Sequence, residues 1–137
     1  MSSSVPERLM DEAVRFHGHL GAFLVLGLKA GLYANEVLGK DYFGTCAVVE
    51  TELVPPVSCF VDGVQLATGC TMGKGNIELR KGDSLSVTFM KKGKGIRLWL
   101  RDDVLERLKR ISSKGRSREA ALTLVDQPIQ ELFHIEE

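Results

Sequence analysis

His17 and His19 are the first residues of the chain whose types and spacing could support chemistry. They stand on either side of Gly18 in the stretch RFHGHLGAF. On a regular helix the two side chains would point roughly 200° apart, so they can share a metal ion only if the chain turns at Gly18. Imidazole nitrogen suits zinc and other first-row metals, and thiolate sulfur is a natural further ligand. The pattern leaves two interpretations open: metal ligation, and a helix-start or core-lining role.

A second candidate group begins at Cys59, which follows the stretch PPVS and is predicted to lie in the first turn of a helix. In that position the helix dipole would favour a thiolate with a lowered pKa. Asp62 and Gln65 follow at three-residue steps and would line the same side. Cys59 is therefore a candidate ligand or nucleophile, and a small buried hydrophobic residue is the equally weighted alternative.

Cys70 lies beyond the end of the same predicted helix. At about 1.5 Å per residue, an unbroken helix from Cys59 to Thr68 would place the two cysteines roughly 16 Å apart. A zinc–sulfur bond is only about 2.3 Å long. Both thiols can therefore bind one ion only if the helix breaks, at Gly63 or Gly69, or if a second copy of the chain contributes one of them.

The glycine-rich stretch GCTMGKGN, residues 69–76, resembles a phosphate-binding P-loop without matching it. Its spacing is one residue short, and a glycine replaces the hydroxyl residue that would hold magnesium. Its backbone N–H groups could still bind an anion together with side chains nearby. The alternative is a connection that needs only the conformational freedom of glycine. The predicted ligand pocket comprises Asp62, Gln65, Lys74 and Asn76.

The elements that position these residues are predicted from hydrophobic periodicity and turn signals. Helices are expected over residues 5–16, 20–38, 58–68, from 102 or 103 onward, 118–125 and 128–133, and strands over 45–54, 77–80, 85–90 and 96–100. Ser4 and Glu7 match a capping box, and Asp102 or Asp103 is expected to cap the fourth helix. The sequence KKGKG between the last two predicted strands is a hairpin signature with a basic tip. Small residues on the second helix predict close contact with another backbone, and Cys46 is expected in the core. This order indicates an α+β fold, with a mixed or antiparallel sheet and helices packed on it.

Length and charge limit the possible functions. A chain of 137 residues is most simply one domain, 1–137. Lys plus Arg and Asp plus Glu both number 18, which gives no general electrostatic case for nucleic acid, an anionic membrane or a strongly acidic partner. Three widely spaced cysteines and an N-terminus without a signal-peptide pattern favour a reducing cytoplasm. The longest apolar run, residues 20–28, is shorter than the ~20 residues of a membrane span, so a soluble protein is expected.

Taken together, FHGHLGAFLVLGLKAG, Cys59 with Asp62 and Gln65, and TGCTMGKGN closely resemble the FmdE family, which is named after formylmethanofuran dehydrogenase. The resemblance implies an α-β-α-β3 core similar to a glyceraldehyde-3-phosphate dehydrogenase domain, and a homodimer. By matching positions it also implies a metal site. Its ligands would be His17, His19, Cys59 and Cys70. Gly21 and Ala22 stand where many relatives have Cys-Pro, and no cysteine follows Cys70, so the C-terminal zinc finger of many relatives is absent from this sequence.

The leading hypothesis is therefore a metal-binding accessory protein that holds zinc or another transition metal. The resemblance links it to methanogenesis or molybdoenzyme one-carbon metabolism and to a molybdenum or tungsten enzyme complex. No pattern for iron–sulfur clusters or a pterin site is present, so the redox step itself is not expected of this chain. Two alternatives stay open. One is a small enzyme with Cys59 as nucleophile, a histidine as base and an anionic substrate, and the other is a purely structural component of a complex.

Overall fold

The computed structural model describes residues 4–137 and has an α+β fold. Within these residues six α-helices and five strands alternate irregularly along the chain. The helices are α1 (Glu7–His17), α2 (Ala22–Leu38), α3 (Phe60–Thr68), α4 (Asp102–Ser113), α5 (Ser117–Leu124) and α6 (Ile129–Leu132), and the strands are β1 (Cys46–Thr51), β2 (Ile77–Lys81), β3 (Ser86–Lys91), β4 (Lys94–Leu100) and β5 (Phe133–Glu136). A short 3-10 turn, Val57–Cys59, leads into α3. The predicted fold class is confirmed.

The five strands form one mixed sheet in the order β2-β1-β3-β4-β5. Only β1 and β2 run parallel, and the other neighbours are antiparallel. The predicted β3–β4 hairpin is present, and its two-residue turn places Lys92 at φ 51° and Gly93 at φ 80°. Positive φ at both turn residues matches the twist of the paired strands.

Helix α2 is the centre of the molecule, as its sequence predicts. Most of its residues are buried, and it contacts α3, α5 and the strands β3 and β4. Its small residues bring α3 close: a Cβ at Gly27 would collide with the carbonyl oxygen of Phe60, and one at Gly63 would collide with the carbonyl oxygen of Leu24. The two helix backbones therefore pack directly on each other, and Gly63 is a packing residue within an unbroken helix.

Several sequence predictions about helix ends and core residues are wrong. Among residues 4–137 no side chain caps α1, and the Ser4 hydroxyl donates instead to Asp126. Asp102 begins α4 without capping it, since Arg101 is the N-cap residue. Cys46 is exposed, because its side chain points away from the face of β1 that packs on the core.

The C-terminal strand β5 is not expected from the sequence, which predicts a helix as far as residue 133. The helix α6 ends at Leu132, and the chain then pairs with β4 through contacts such as Leu100 with Phe133. Of the helices in residues 4–137, none combines the length and the apolar character that crossing a membrane requires.

Candidate functional site

The C-terminus of α1 brings His17 and His19 together. Gly18 adopts a left-handed conformation with φ 108°, and its N–H donates to the carbonyl oxygen of Val14 at 2.7 Å, which ends the helix. The chain turns at this point, as the sequence analysis required for any cooperation between the histidines. Their ring centroids are 4.8 Å apart.

His17 is held by a carboxylate from α3. Its Nδ1 lies 2.5 Å from Oδ2 of Asp62, and only 9% of the His17 side chain is exposed. A carboxylate can only accept a hydrogen bond, so Nδ1 carries the proton and, in the neutral ring, Nε2 presents a lone pair. Nε2 is buried and has no hydrogen-bond partner among residues 4–137. One ring nitrogen is therefore oriented by Asp62 and the other is left without a partner.

A cavity of about 540 Å³ lies beside His19. It is formed where α3 begins, α4 ends and α5 begins. Its lining residues include His19, Pro55, Cys59, Lys109, Ser112 and Ser117. The hydroxyl of Ser112 is buried and has no hydrogen-bond partner in the described part of the chain. Sequence reasoning selected His19 and Cys59 from this set and missed the residues of α4 and α5.

Cys59 is the N-cap residue of α3, close to the predicted position, but its pKa is shifted in the opposite direction from the prediction. Burial raises the pKa of the Cys59 thiol above its ordinary value, and the negative charge of Asp62 raises it further. A hydrogen bond from backbone N–H acts in the other direction and does not compensate. Cys59 is thus predominantly a thiol at neutral pH.

Cys70 lies at the opposite end of α3 from Cys59. Its thiol is buried and donates to the carbonyl oxygen of Thr45 at 3.3 Å. The helix between the cysteines is continuous from Phe60 to Thr68, so the break that a shared ion would need is absent. Within one chain Cys70 therefore does not join Cys59, and the four-ligand set that the resemblance implied stays a prediction that needs a second copy of the chain.

The predicted ligand pocket around the glycine-rich turn is not assembled. Lys74 donates through Nζ to the carbonyl oxygen of Tyr42, and Asn76 donates to the carbonyl oxygens of Tyr42 and Thr45. The amide oxygen of Gln65 accepts from the backbone N–H of residue 72. These side chains hold the turn in place, while Asp62 binds His17 instead.

With this geometry established, the chain can be compared with known proteins. The sequence profile described as "FmdE, Molybdenum formylmethanofuran dehydrogenase operon" matches residues 16–136. The chain belongs to the FmdE family. It is therefore related to formylmethanofuran dehydrogenase, and the resemblance noted in its motifs is confirmed.

This FmdE-family chain is similar to one curated protein in sequence and to one solved structure in fold. A protein of Archaeoglobus fulgidus named "Probable S-adenosyl-L-methionine-binding protein" is 37% identical over 98 residues, which are 68% of this chain and 26% of that protein. The chain thus spans about a quarter of the length of that curated relative. The crystal structure of a tungsten formylmethanofuran dehydrogenase FmdE-like protein from Syntrophus aciditrophicus has a TM-score of 0.67 at 19% identity, covering 99% of this chain and 76% of that one. This likeness shows a shared FmdE-like fold.

Gly21, two residues after His19, makes room for two neighbouring side chains. A Cβ at this position would lie 3.1 Å from Cε1 of His19 and 3.3 Å from Oγ of Ser117. The Ser117 hydroxyl in turn accepts from the N–H of Ala22 at 2.8 Å, at the start of α2. The Gly21 position is therefore bordered by an imidazole and a hydroxyl.

In the described residues of this FmdE-family chain, the candidate metal-binding side chains do not form a complete metal site. Among residues 4–137, no group of three or more His, Cys, Asp or Glu side chains is arranged to hold a metal ion. His17, Asp62, His19 and Cys59 nevertheless meet in one region, linked by the His17–Asp62 hydrogen bond, the contact between the histidine rings and the shared cavity wall.

Proposed function

We propose that this chain is a metal-binding accessory protein of a formylmethanofuran dehydrogenase-related system, with His17 as its first ligand and His19 and Cys59 as further ligands. The single observation that carries the proposal is the state of His17. Its Nδ1 is bound to Asp62, while its buried Nε2 has no hydrogen-bond partner among the described residues.

A buried polar atom without a partner is costly, and such atoms in native proteins call for a ligand, a water or a functional role. Metal-binding histidines almost always donate their other ring N–H to a carboxylate or carbonyl, which fixes the tautomer and makes the ligating nitrogen more basic. The Asp62–His17 pair has this arrangement. Nε2 of His17 is therefore the atom best prepared to bind a cation.

The chemistry of the further donors suits a borderline-soft metal. Two imidazoles and one thiol match zinc or another first-row transition metal better than magnesium or calcium. Since no three donors converge in the described chain, His19 would have to reorient, and its exposed side chain leaves it free to do so. When bound, such an ion would supply a Lewis acid or a structural link at the edge of the cavity.

The proposal is tested by elemental analysis of protein purified without a histidine tag. We expect about one ion per wild-type chain. His17→Ala should remove most of the metal, and Asp62→Asn should weaken its binding about 10–100-fold. His134→Ala is the matched control, because His134 packs on Trp99 away from the site. Equal metal content in the wild type, His17→Ala and His134→Ala proteins would contradict the proposal.

The raised pKa of Cys59 weighs against the alternative of a thiolate enzyme. Nucleophilic cysteines are normally activated by a lowered pKa or an adjacent base, and here burial and Asp62 act in the opposite direction. The family membership supports instead an association with a molybdenum or tungsten dehydrogenase and, by resemblance, a homodimer. Co-purification with the dehydrogenase and light scattering of the isolated chain would test these two proposals separately.

A further inference from the structure

The loop between α2 and β1, residues 39–45, exposes two aromatic side chains beside the glycine-rich turn. Phe43 is the most exposed large hydrophobic residue in the described part of the chain, at 79%, and Tyr42 is 55% exposed. The turn adds Met72, which is 60% exposed. Tyr42, Phe43 and Met72 form the apolar patch. Exposed apolar side chains grouped in this way mark interaction surfaces, whereas single ones do not.

Polar contacts hold the loop and the turn of this patch together. The carbonyl oxygen of Tyr42 accepts from Nζ of Lys74 at 2.8 Å and from Nδ2 of Asn76 at 3.0 Å. The Tyr42 ring packs directly on Gly69, where a Cβ would collide with it. Side chains that are already held in place lose little conformational entropy on binding, so these contacts prepare the patch for a partner.

Two lysine side chains border the patch. The ammonium group of Lys40 lies 4.6 Å from the centre of the Tyr42 ring. That of Lys74 lies 5.3 Å from the same ring and 4.8 Å from the ring of Phe43. Asp41 is the one carboxylate in the sequences of the loop and the turn, and it accepts from backbone N–H groups of the loop. The patch is therefore apolar at its centre and basic at its rim.

The basic tip of the β3–β4 hairpin extends this rim. Nζ of Lys91 donates to the carbonyl oxygens of Leu38 and Gly39, where the loop begins. Lys92 and Lys94, at the tip itself, are exposed. The two lysine-containing glycine motifs of the sequence, GCTMGKGN and KKGKG, thus adjoin the same loop.

The charge of the rim indicates the kind of partner. In a symmetric contact between two copies of the patch, the two basic rims would face each other, which is unfavourable. Single-stranded nucleic acid binds by stacking its bases on open aromatic faces, but lysine ammonium groups lie over the rings of Tyr42 and Phe43. A protein surface with an apolar centre and an acidic rim complements both features of the patch.

We propose that the apolar patch docks on an acidic surface of the molybdenum or tungsten dehydrogenase. This inference rests on the association in the proposed function and names the face of the chain that makes it. Gly69, which contacts Tyr42, is the C-cap residue of α3, whereas Cys59 is its N-cap residue. A partner on the patch therefore leaves the candidate metal site uncovered.

The test is a calorimetric titration of the purified dehydrogenase complex with the untagged full chain. Phe43→Ser should weaken binding about tenfold or more, because aromatic anchors carry much of the binding free energy of an interface. Leu122→Ser is the matched control, since Leu122 is 57% exposed on α5, and it should leave the affinity unchanged. Lys40→Glu should weaken binding severalfold, most strongly at low salt, and Lys114→Glu at the exposed end of α4 should not.

An unchanged affinity in Phe43→Ser, or an equal loss in Leu122→Ser, would overturn the proposal. So would wild-type binding to phosphatidylglycerol vesicles, to single-stranded oligouridine or to a second copy of the chain, if Phe43→Ser abolishes it. If the wild type does not bind the dehydrogenase, the association and its docking surface are both wrong. The metal proposal is decided separately, because Phe43→Ser should hold as much metal as the wild type.

Discussion

Lys29 lies in the middle of α2 with only 3% of its surface exposed. Its ammonium donates to the carbonyl oxygen of Val125, yet burial lowers its pKa from 10.5 to about 8, against the smaller opposing effect of Asp126. Between these two values the unfolded chain binds more protons than the folded chain. Lys29 by itself should therefore raise the free energy of unfolding between about pH 8 and about pH 10.5, by up to ~3 kcal/mol.

Denaturant unfolding of the wild type and Lys29→Met between pH 7 and pH 9 checks the first part of this dependence. Most of the rise should be lost in Lys29→Met and retained in Lys94→Met, the control at an exposed hairpin position. The range ends at pH 9 because the thiols of Cys59 and Cys70, whose pKa values burial raises, and Tyr33, whose pKa burial raises from 10.0 to about 12, act in the opposite sense at higher pH. An equal rise in the wild type and Lys29→Met would contradict the assignment.

The types and spacing of single residues identify members of the site, but they do not predict the hydrogen bonds and the pKa shifts within it. Spacing alone selects His17, His19, Cys59 and Asp62 as candidates. The hydrogen bond between Asp62 and His17 joins residues 45 positions apart, so no local pattern could predict it. The pKa of Cys59 was predicted from its helix position, but burial and a neighbouring carboxylate determine its direction.

The packing of α2 on α3 is the element-scale feature that fixes the site. It sets the position of Asp62 relative to α1 and of Cys59 relative to the cavity. Gly63→Ala should destabilise the fold by about 2–3 kcal/mol, because the added methyl group meets backbone atoms of α2 that cannot move aside. The control is Gly73→Ala, where a Cβ has nothing within 4 Å. Thermal unfolding measures both, and equal stability of the two variants would contradict direct backbone packing.

Elements with a strong local signal were predictable, and those that depend on distant partners were not. Helix α2 has a long apolar sequence ending in glycine, and the β3–β4 hairpin has a basic, glycine-containing turn. Strand β5 is only four residues long and forms because it can pair with β4. The hydroxyl at the start of α2 comes from Ser117, 95 positions away, which explains why a local capping motif was absent there.

The whole molecule places its donor groups at the meeting point of helices that are far apart in the sequence. α1 and the turn after it supply the histidines, α3 and its N-cap supply Asp62 and Cys59, and the cavity is completed by α4 and α5. The FmdE profile could identify the family and the fold, since these depend on motifs spread along residues 16–136. Cys70 shows the limit of carrying a ligand set over by position, because an intact α3 keeps it at the far end from Cys59.

The central claim is that His17 binds a metal ion through Nε2. Diffraction from crystals of the untagged protein, measured at the absorption edge of the metal found by elemental analysis, tests it most directly. We predict an anomalous peak about 2.1 Å from Nε2 of His17, with the Nδ1–Asp62 hydrogen bond intact. An anomalous peak at other residues, or none near His17 in crystals grown with the metal, would contradict the claim.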